Sequence, residues 1–344
     1  MSNVKLGFIG CGGWAQKKYL PYLKTRNRSI VTAFSMIQLD ADREKLSQLF
    51  PNAIFFDTTE EMLEKQNIDA LIISLPHNLH FSALQSAINH LIPTLIDKPL
   101  CSTYKEASQI VDAAKQQNLT IAVSNQRRSQ GGMKFLNECI NNNELGEIFW
   151  IDGKFIISSY VNWHLSWRND PNLSGSPAMK QGLFLDTGYH ILDAILYLLR
   201  FEEPSNVFAS SNQRGFNVDH DTSVIINFLS GRRATISTSR GLPDDCVIEE
   251  VSILGEKAFG NSVVKRFKHE QISEAFIHSN QGRFRTEAFS SDFALEPVNA
   301  FLKHVELGKP LENLWKAENS LLTIKVIDAI YHSIKTGLPV EIKK

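Results

Sequence analysis

Charge of one sign and paired cysteines are both scarce in this 344-residue sequence. Lys and Arg together number 36 against 37 Asp and Glu, so no basic excess exists to neutralise the phosphates of a nucleic acid. No run of like charges forms a polybasic patch of the kind that binds membranes. The four cysteines lie far apart and include no C-x-x-C pair: Cys11, Cys101, Cys139 and Cys246. This spacing argues against zinc and disulfide frameworks and is typical of reduced thiols in the cytosol.

Long hydrophobic runs are also missing. The stretch 191–199 is strongly apolar, but it is shorter than the roughly 20 residues that a membrane-spanning helix needs. The N-terminal residues lead directly into an apolar segment at 4–9, without the charged and then apolar regions of a secretory signal. We therefore expect a soluble, cytoplasmic protein that has neither a membrane nor a nucleic acid among its partners.

Short apolar segments alternate with helical patterns through the first third of the chain. Five of these segments predict strands, at 4–9, 30–34, 69–75, 94–96 and 120–123. Short strands separated by helices are typical of βαβ units on a buried parallel sheet. The chain is also longer than one hydrophobic core usually serves. We predict an N-terminal α/β domain over residues 1–124 with a Rossmann fold, that is, a doubly wound parallel sheet.

The pattern changes near Asn125, where longer strands with alternating polar and apolar residues begin. They are predicted at 148–160, 222–229, 233–239 and 247–254. Alternation of this kind indicates an antiparallel sheet with one exposed face. Two predicted helices, each ending at a glycine, close the chain. We therefore predict a second, α+β domain over residues 125–344 with an open, mostly antiparallel sheet.

A glycine-rich turn follows the first predicted strand and opens the first helix. Its sequence is Gly10-Cys11-Gly12-Gly13-Trp14-Ala15. Gly10 permits a tight turn, Gly12 lets the backbone approach a pyrophosphate at the helix N-terminus, and the small Ala15 allows helix and strand to pack closely. We predict that a dinucleotide binds at Gly10, Gly12, Gly13, Trp14 and Ala15. The alternative is a strand–helix turn without a ligand.

One part of the dinucleotide pattern is missing. An acid near the end of the second strand normally binds the ribose hydroxyls. Ser35 occupies that place, and the nearest acid, Asp40, lies beyond an apolar stretch. Serine also accommodates a 2′-phosphate, but no arginine follows it directly. The sequence thus predicts NAD or NADP as the cofactor and leaves both open.

A lysine follows the fourth predicted strand in the sequence Asp97-Lys98-Pro99. This position is at the carboxyl edge of the sheet, where doubly wound folds bind ligands. Pro99 stiffens the turn, and an ammonium group there can hydrogen-bond a substrate hydroxyl and stabilise negative charge that develops on its oxygen. Lys98 is therefore a candidate catalytic residue, and the alternative is an ordinary solvated lysine.

Asp186 and His190 lie four residues apart at the start of a strongly apolar helical segment, so they share one face. A carboxylate beside an imidazole orients it and raises its basicity, which suits a general base near neutral pH. Gly188 predicts close approach of another group, such as the cofactor ring. The alternative is a partly buried histidine satisfied by a local acid. Asp186, His190 and Asp193 could also ligate a metal, but no further His or Cys cluster completes such a site, and we predict none.

In order and spacing, these motifs resemble the Gfo/Idh/MocA oxidoreductase family, which includes glucose–fructose oxidoreductase and inositol dehydrogenase. The resemblance covers nearly the whole chain. Besides the glycine turn, Ser74-Leu75-Pro76-His77-Asn78-Leu79-His80 is similar to the family's T-P-x-x-x-H, and Asp97-Lys98-Pro99 is similar to its E-K-P. The further motifs are Asn125-Gln126-Arg127-Arg128, Leu145-Gly146-Glu147, Trp167-Arg168, Asp186-x-Gly188-x-His190-x-x-Asp193, Ile253-Leu254-Gly255-Glu256-Lys257 and Ser333-x-x-x-Gly337.

The resemblance implies roles for individual residues. It implies that Lys98 holds the substrate oxygen, that His190 acts as acid and base, and that Asp186 binds or orients. The residues expected along the cofactor, besides the glycine turn, are Ser35, Ser74, Pro76, Asn78, His80, Asp97 and Lys98. The residues expected to line the substrate are Arg127, Trp163, His164, Arg168, Asp186 and His190. The free face of the second sheet is expected to pack in a homodimer or homotetramer.

The family's usual substrates are sugars, nucleotide sugars and cyclitols. The resemblance therefore implies an NAD(P)-dependent dehydrogenase or reductase that transfers a hydride between the nicotinamide and a ring carbon bearing a hydroxyl. Two alternatives stay open: glycoside cleavage through transient oxidation and elimination on tightly held NAD, and a nonenzymatic NAD(P)-binding regulator. Two departures from the family pattern bear on the site. Asp97 replaces a glutamate, and Lys180-Gln181-Gly182 keeps only one glycine of a triplet.

Overall fold

A computed structural model describes residues 3–37, 39–158, 166–243, 245–279, 281–282, 284–289 and 293–342. Contacts within the chain divide it into two compact units. The first comprises residues 1–125 and 294–321, and the second comprises residues 126–293 and 322–344. Each unit contains one sheet.

The first unit is built on a six-stranded sheet whose described pairings are all parallel. The strands are β1 (Val4–Ile9), β2 (Ser29–Ser35), β3 (Ile54–Phe56), β4 (Ala70–Ile73), β5 (Thr94–Asp97) and β6 (Ile121–Ser124). Their order is β3-β2-β1-β4-β5-β6, so the direction of winding reverses between β1 and β4. Folds of this kind bind ligands at that reversal, beyond the carboxyl ends of the strands. The predicted Rossmann fold is confirmed, although the short edge strand β3 was not predicted.

Helices connect the strands of the first unit. They are α1 (Leu20–Lys24), α2 (Asp40–Leu49), α3 (Thr59–Lys65), α4 (His80–Asn89) and α5 (Tyr104–Gln116), and a π-helical turn at Ala15–Tyr19 leads into α1. Helix α5 begins at a capping box, in which the Thr103 hydroxyl accepts from the Glu106 N–H while the Glu106 carboxylate accepts from the Thr103 N–H. The core between the helices and the sheet contains the apolar side chains of Leu6, Phe8 and Phe34, each of which is 0% exposed.

The segment 294–321 packs with the first unit, whereas the sequence prediction assigned everything after residue 124 to the second domain. Its helix α8 (Glu296–Leu307) buries Val298, Phe301 and Leu302 in the core that also contains β1. The helix itself was predicted from its periodicity. Its packing partner lies at the other end of the chain, and local periodicity carries no information about such a contact.

The second unit is built on a nine-stranded sheet in which one pairing, β7 with β10, is parallel and the others are antiparallel. The strands are β7 (Ile148–Ser158), β8 (Pro204–Asn212), β9 (Asp221–Phe228), β10 (Arg233–Leu242), β11 (Cys246–Gly255), β12 (Ala258–Phe267), β13 (Glu270–Ser279), β14 (Phe284–Ala288) and β15 (Val340–Glu341). Their order is β14-β13-β12-β11-β7-β10-β9-β8-β15. The predicted α+β domain with a mostly antiparallel sheet is confirmed.

One face of this second sheet carries helices. Helix α6 (Gly131–Asn141) packs on β12 and β13, and helix α7 (Tyr189–Leu198) packs on β7 and β10. Helix α9 (Leu321–Thr336) also contributes buried residues to this unit. Gly153 lets α7 approach the sheet, because a Cβ there would lie 2.2 Å from the Ile191 side chain. Among the described residues, no helix has both the length and the apolar character needed to cross a lipid bilayer.

Candidate active site

The glycine turn has the geometry that a phosphate-binding loop needs. Gly10 has a φ of +75°, and a Cβ there would lie 2.3 Å from the Ser74 carbonyl oxygen, so only glycine fits. At Gly12 and Gly13 a Cβ would meet nothing within 4 Å, and both residues are exposed. The helix over residues 13–24 starts here, and the N–H groups of a helix start bind anions. The open backbone and these donors fit the pyrophosphate of a dinucleotide.

The other residues predicted for the cofactor surround this turn to different degrees. Trp14 is half-buried, and Ala15 is 0% exposed in the core, as its predicted packing role requires. Ser35 is also 0% exposed, and its hydroxyl lies 3.5 Å from the Thr59 hydroxyl. Pro76 and Asn78 are half-buried in the segment between β4 and α4. These observations place the residues in the first unit, and their contact with a cofactor stays a prediction.

An acid that the sequence analysis missed reaches the glycine turn from helix α2. The Gln16 side chain donates to Asp42 Oδ1 at 2.8 Å and to the Cys11 carbonyl oxygen at 3.2 Å, and Lys45 Nζ donates to Gln16 Oε1 at 2.8 Å. Burial first, and then the negative charge of Asp42, raise the pKa of the Cys11 thiol to about 12. Asp42 was overlooked because it lies seven residues beyond Ser35. Its hydrogen bond to Gln16 nevertheless brings the carboxylate beside the glycine turn.

Asp97 at the end of β5 is anchored to neighbouring strands. Ser74 Oγ donates to Asp97 Oδ2 at 2.7 Å, and the buried Tyr19 hydroxyl donates to Asp97 Oδ1. The Tyr19 hydroxyl also lies 2.9 Å from Ser124 Oγ at the end of β6. Burial and the nearby Asp97 carboxylate raise the pKa of Tyr19. The Asp97 carboxylate and the Tyr19 hydroxyl together therefore connect the ends of β4, β5 and β6 immediately before Lys98.

His80 fixes the other side of the same turn. Its Nδ1 lies 2.7 Å from the Pro99 carbonyl oxygen and its Nε2 lies 3.0 Å from the Leu75 carbonyl oxygen. The ring is 0% exposed, and burial lowers the pKa of His80 to about 4. Lys98 itself is half-buried. The predicted catalytic lysine thus projects from a turn that buried polar side chains hold before and after it.

In the second unit, the helix that carries Asp186 begins in the core. A π-helical turn at Phe184–Gly188 leads into α7, and π-turns of this kind occur often at functional sites. Asp186 Oδ2 accepts from Arg168 Nε at 2.9 Å and from Arg240 Nη2 at 3.1 Å. Arg168 was predicted at the substrate, whereas Arg240 was missed because it lies inside β10 and belongs to no motif. Two guanidinium groups therefore face one carboxylate oxygen.

His190 lies one turn after Asp186 and is half-buried. Its ring centroid is 6.0 Å from that of Phe155. The guanidinium carbon of Arg127 lies 5.3 Å from the same Phe155 ring, and Arg127 Nε is 2.9 Å from Glu249 Oε1. Burial raises the pKa of Glu249. Arg127, predicted to line the substrate, is thus close to the histidine through a shared aromatic neighbour.

The structure adds two details to the predicted histidine helix. Asp193 is not available to His190 or to a metal as an open carboxylate, because Arg128 bonds both of its oxygens at 2.6 and 2.8 Å and Thr323 donates to it at 2.9 Å. The protein group that approaches Gly188 is the Phe184 ring, 2.5 Å from a hypothetical Cβ, and approach of a cofactor ring stays a prediction. Trp163 and His164, the remaining predicted substrate residues, lie outside the described residues.

Two family models match this chain. The model described as the NAD-binding Rossmann fold of the oxidoreductase family GFO_IDH_MocA matches residues 4–125, and that of the GFO/IDH/MocA C-terminal domain matches residues 133–259. The chain belongs to the Gfo/Idh/MocA family of NAD(P)-dependent oxidoreductases. The resemblance predicted from the motifs is confirmed, and so is an NAD(P)-binding first unit.

Individual relatives agree with this assignment. An uncharacterised oxidoreductase of Schizosaccharomyces pombe is 32% identical over 61% of this chain. The match spans about half of that relative's length, 54%. D-glucoside 3-dehydrogenase of Escherichia coli is 25% identical, and the match covers 99% of this chain and 98% of that enzyme. The crystal structure of GenD2 from gentamicin A biosynthesis, in complex with NAD, superposes with a TM-score of 0.82 at 16% identity, over 100% of this chain and 97% of that one. At that identity the superposition shows the fold alone.

Proposed function

We propose that this protein is an NAD(P)-dependent dehydrogenase or reductase that transfers a hydride between the nicotinamide and a ring carbon of a sugar, nucleotide sugar or cyclitol. The observation that carries this proposal is the exposure of His190. Residues 181–189 and 191–196 on either side are all buried, and the imidazole alone is half-buried. A histidine that opens out of a buried helix start, beside charged groups, can exchange a proton with a bound substrate near neutral pH.

The residues then divide the chemistry between them. The bound nicotinamide supplies the hydride acceptor or donor. In the oxidising direction His190 takes the proton of the substrate hydroxyl, and the carbon–hydrogen bond breaks with its electron pair leaving as hydride. Lys98 donates a hydrogen bond to the same oxygen and stabilises it as the carbonyl forms. Asp186, between Arg168 and Arg240, binds or orients the reacting groups.

The glycine turn is proposed to hold the cofactor. Gly12 and Gly13 would present their N–H groups to the pyrophosphate, since nothing fills the space beside them. Trp14, Ser35, Ser74, Pro76, Asn78 and Asp97 are proposed along the rest of the dinucleotide. Supporting this, Ser74 and Asp97 are hydrogen-bonded to each other at the carboxyl edge of the sheet. His80 would act there through the Lys98 turn.

The sugar-like substrate is proposed from two features. One relative that this chain matches over nearly its full length is a D-glucoside 3-dehydrogenase. In this chain, Arg127, Arg168 and Asp186 supply charged hydrogen-bonding groups near the helix of His190, and polyols are recognised by such groups.

A homodimer or homotetramer is proposed from the face of the second sheet that carries no helix. Phe208 on β8 and Ile225 on β9 are directly paired across the strands, and they are 37% and 42% exposed. Phe149 and Leu254 add further exposed apolar area on the same sheet. Exposed apolar side chains of this kind favour a protein–protein contact on this sheet.

The test replaces the two proposed catalytic groups and keeps their size. Lys98→Met and His190→Asn should each lower turnover of a sugar substrate by about 10²- to 10⁴-fold, the usual range for loss of an oxyanion-stabilising or proton-transfer group. The dissociation constant of NADH, measured by fluorescence, should stay within about twofold, because neither group belongs to the glycine turn. Lys154→Met, at an exposed ion pair with Asp152, is the control.

Three results would contradict the proposal in different ways. Near-normal turnover in both variants would remove Lys98 and His190 from the reaction. Cofactor that stays bound through purification, with substrate consumed and no net NADH formed, would replace hydride transfer by transient oxidation and elimination. Tight NAD(P) binding without turnover of any polyol, unchanged in both variants, would indicate a nonenzymatic regulator.

A further inference from the structure

The helix that carries Asp186 and His190 starts in the protein interior, where its first N–H groups need acceptors. The first four N–H groups of any helix have no partner within the helix. No side chain adjacent in sequence caps this helix start. Asp219, just before β9, and Tyr331, on α9, lie against residues 182–185. We propose that Asp219 and Tyr331 are positioning residues of the reaction, because together they cap this helix and fix Asp186 and His190; this rests on the proposed function.

Two residues satisfy all four N–H groups of the helix start. The bonds are Gly182 N to Tyr331 Oη at 3.2 Å, Leu183 N to the Asp219 carbonyl oxygen at 3.2 Å, Phe184 N to Asp219 Oδ2 at 2.7 Å and Leu185 N to Tyr331 Oη at 3.1 Å. The next N–H, of Asp186, donates to the Gly182 carbonyl oxygen at 3.0 Å, so the helix proper begins there. Asp186 is therefore the first residue whose N–H is held by the helix itself.

The cap is closed by a bond between its two members. Tyr331 Oη donates to Asp219 Oδ1 at 2.7 Å, and Thr222 Oγ1 donates to Asp219 Oδ2 at 3.3 Å. A phenol has one donor and two acceptor positions, and here all three are in use. Asp219 and Tyr331 are 4% and 2% exposed, so a lost bond leaves a largely buried polar group without its partner. An unsatisfied buried N–H or hydroxyl costs about 1–3 kcal/mol, which favours a shift of the helix start when one member is removed.

Because of where the cap lies, its loss should displace the proposed catalytic residues without disturbing the cofactor-binding turn. Asp186 follows the capped residues directly, and the π-helical turn Phe184–Gly188 connects them to His190. A displacement of the helix start is therefore transmitted to both proposed functional side chains, whereas the glycine turn belongs to the other unit. Misplacement of a catalytic group by about 1 Å can lower a rate by about a hundredfold.

The experiment compares Tyr331→Phe with Ser333→Ala, a change on the same helix. Ser333 is also 0% exposed and bonded to backbone, since it accepts from Ala209 N at 3.0 Å and donates to the Leu338 carbonyl oxygen at 2.7 Å. It therefore anchors β8 and not the helix start. Thr222→Val, which removes a single donor to Asp219, provides a milder perturbation that keeps the fold.

Two readouts are measured at a temperature where every variant is folded. Tyr331→Phe should raise amide hydrogen exchange in residues 182–190 by at least about tenfold and lower kcat by at least about tenfold, with the NADH dissociation constant unchanged within about twofold. Thr222→Val should also raise amide exchange in residues 182–190 and lower kcat, but to a smaller extent than Tyr331→Phe. Ser333→Ala should change neither, even when its loss of thermal stability matches that of Tyr331→Phe.

Each other outcome overturns a stated part of the reasoning. Unchanged exchange at 182–190 in Tyr331→Phe would show that the cap does not hold the helix. Faster exchange with unchanged kcat, in a protein that His190→Asn inactivates, would show that the cap stabilises without positioning. If His190→Asn itself leaves turnover intact, the proposed function fails, and the exchange result still decides whether the cap exists.

Discussion

Replacing His80 by glutamine should remove much of the sensitivity of this protein to mild acid. His80 is enclosed between the Leu75 and Pro99 carbonyl oxygens, at 3.0 and 2.7 Å from its two ring nitrogens. These acceptors favour an imidazolium, which can donate to both, whereas burial disfavours its charge. Burial dominates and lowers the pKa of His80 from 6.5 to about 4.

The sign and size of the effect follow from this difference. The unfolded chain takes up a proton at His80 below pH 6.5, and the folded protein does so only near pH 4. Folded stability that is complete above pH 6.5 is therefore lost as the pH falls toward 4. Since a tenfold difference in proton affinity corresponds to about 1.4 kcal/mol, the loss is about 2 kcal/mol between pH 7 and pH 5 and about 3 kcal/mol in full.

The assay measures the free energy of unfolding in urea at pH 7 and pH 5 for the original protein and His80→Gln. Glutamine does not titrate and can still donate to one carbonyl, so the variant should lose about 2 kcal/mol less stability over this interval. His90→Gln, at the exposed end of the same helix, controls for the loss of a histidine. Histidine NMR should also show a neutral His80 at pH 5. An imidazolium at pH 5, or a variant more sensitive to acid than the original, would show that the carbonyl acceptors outweigh burial.

Two further predictions concern a buried ion pair and a carboxylate beside the glycine turn. Arg128→Met should lower the free energy of unfolding in urea by about 3–5 kcal/mol, because it leaves the buried Asp193 carboxylate without its arginine. The double variant Arg128→Met with Asp193→Leu should recover most of that loss. If the losses of the two single variants simply add in the double variant, the pairing is refuted. Asp42→Ser should tighten NADPH binding relative to NADH by about tenfold, measured by fluorescence titration, because a carboxylate beside the glycine turn repels a 2′-phosphate. Asp40→Ser is the control, and equal effects of the two changes would rule out a specific role for Asp42.

The architecture was predictable because it depends on local patterns. Short apolar strands between helices gave the parallel sheet, and long alternating strands gave the mostly antiparallel one, since both patterns follow from the burial of one or two sheet faces. The packing of the segment 294–321 with the first unit was not predicted, because the sequence of a helix shows its apolar face but not the core that receives it. The edge strand Ile54–Phe56 was missed, since three residues are too few to show a period.

Candidate site residues that belong to a sequence motif were predictable, whereas those that reach the site only through packing were not. Lys98 and Asp186 stood in recognisable sequences, and the structure places them at a sheet edge and at a helix start. Arg240 and Asp219 belong to no motif and reach the helix of Asp186 only through the folding of the second sheet. Asp193, named from the sequence only as a possible metal ligand, is likewise given its partner by packing, since a buried arginine bonds both of its oxygens.

Both proposed catalytic side chains are held through the backbone. Next to Lys98, the His80 ring lies in hydrogen-bond contact with the Pro99 carbonyl oxygen. In the helix that carries His190, the Tyr331 hydroxyl accepts from N–H groups at the helix start. An anchor of this type fixes a Cα position and leaves the side chain its own rotamers. Removing an anchor should therefore lower kcat through misplacement, whereas replacing the charged groups proposed to bind the substrate should act first on its KM. Kinetics of Tyr331→Phe against those of Arg168→Ala can separate these two classes in one protein.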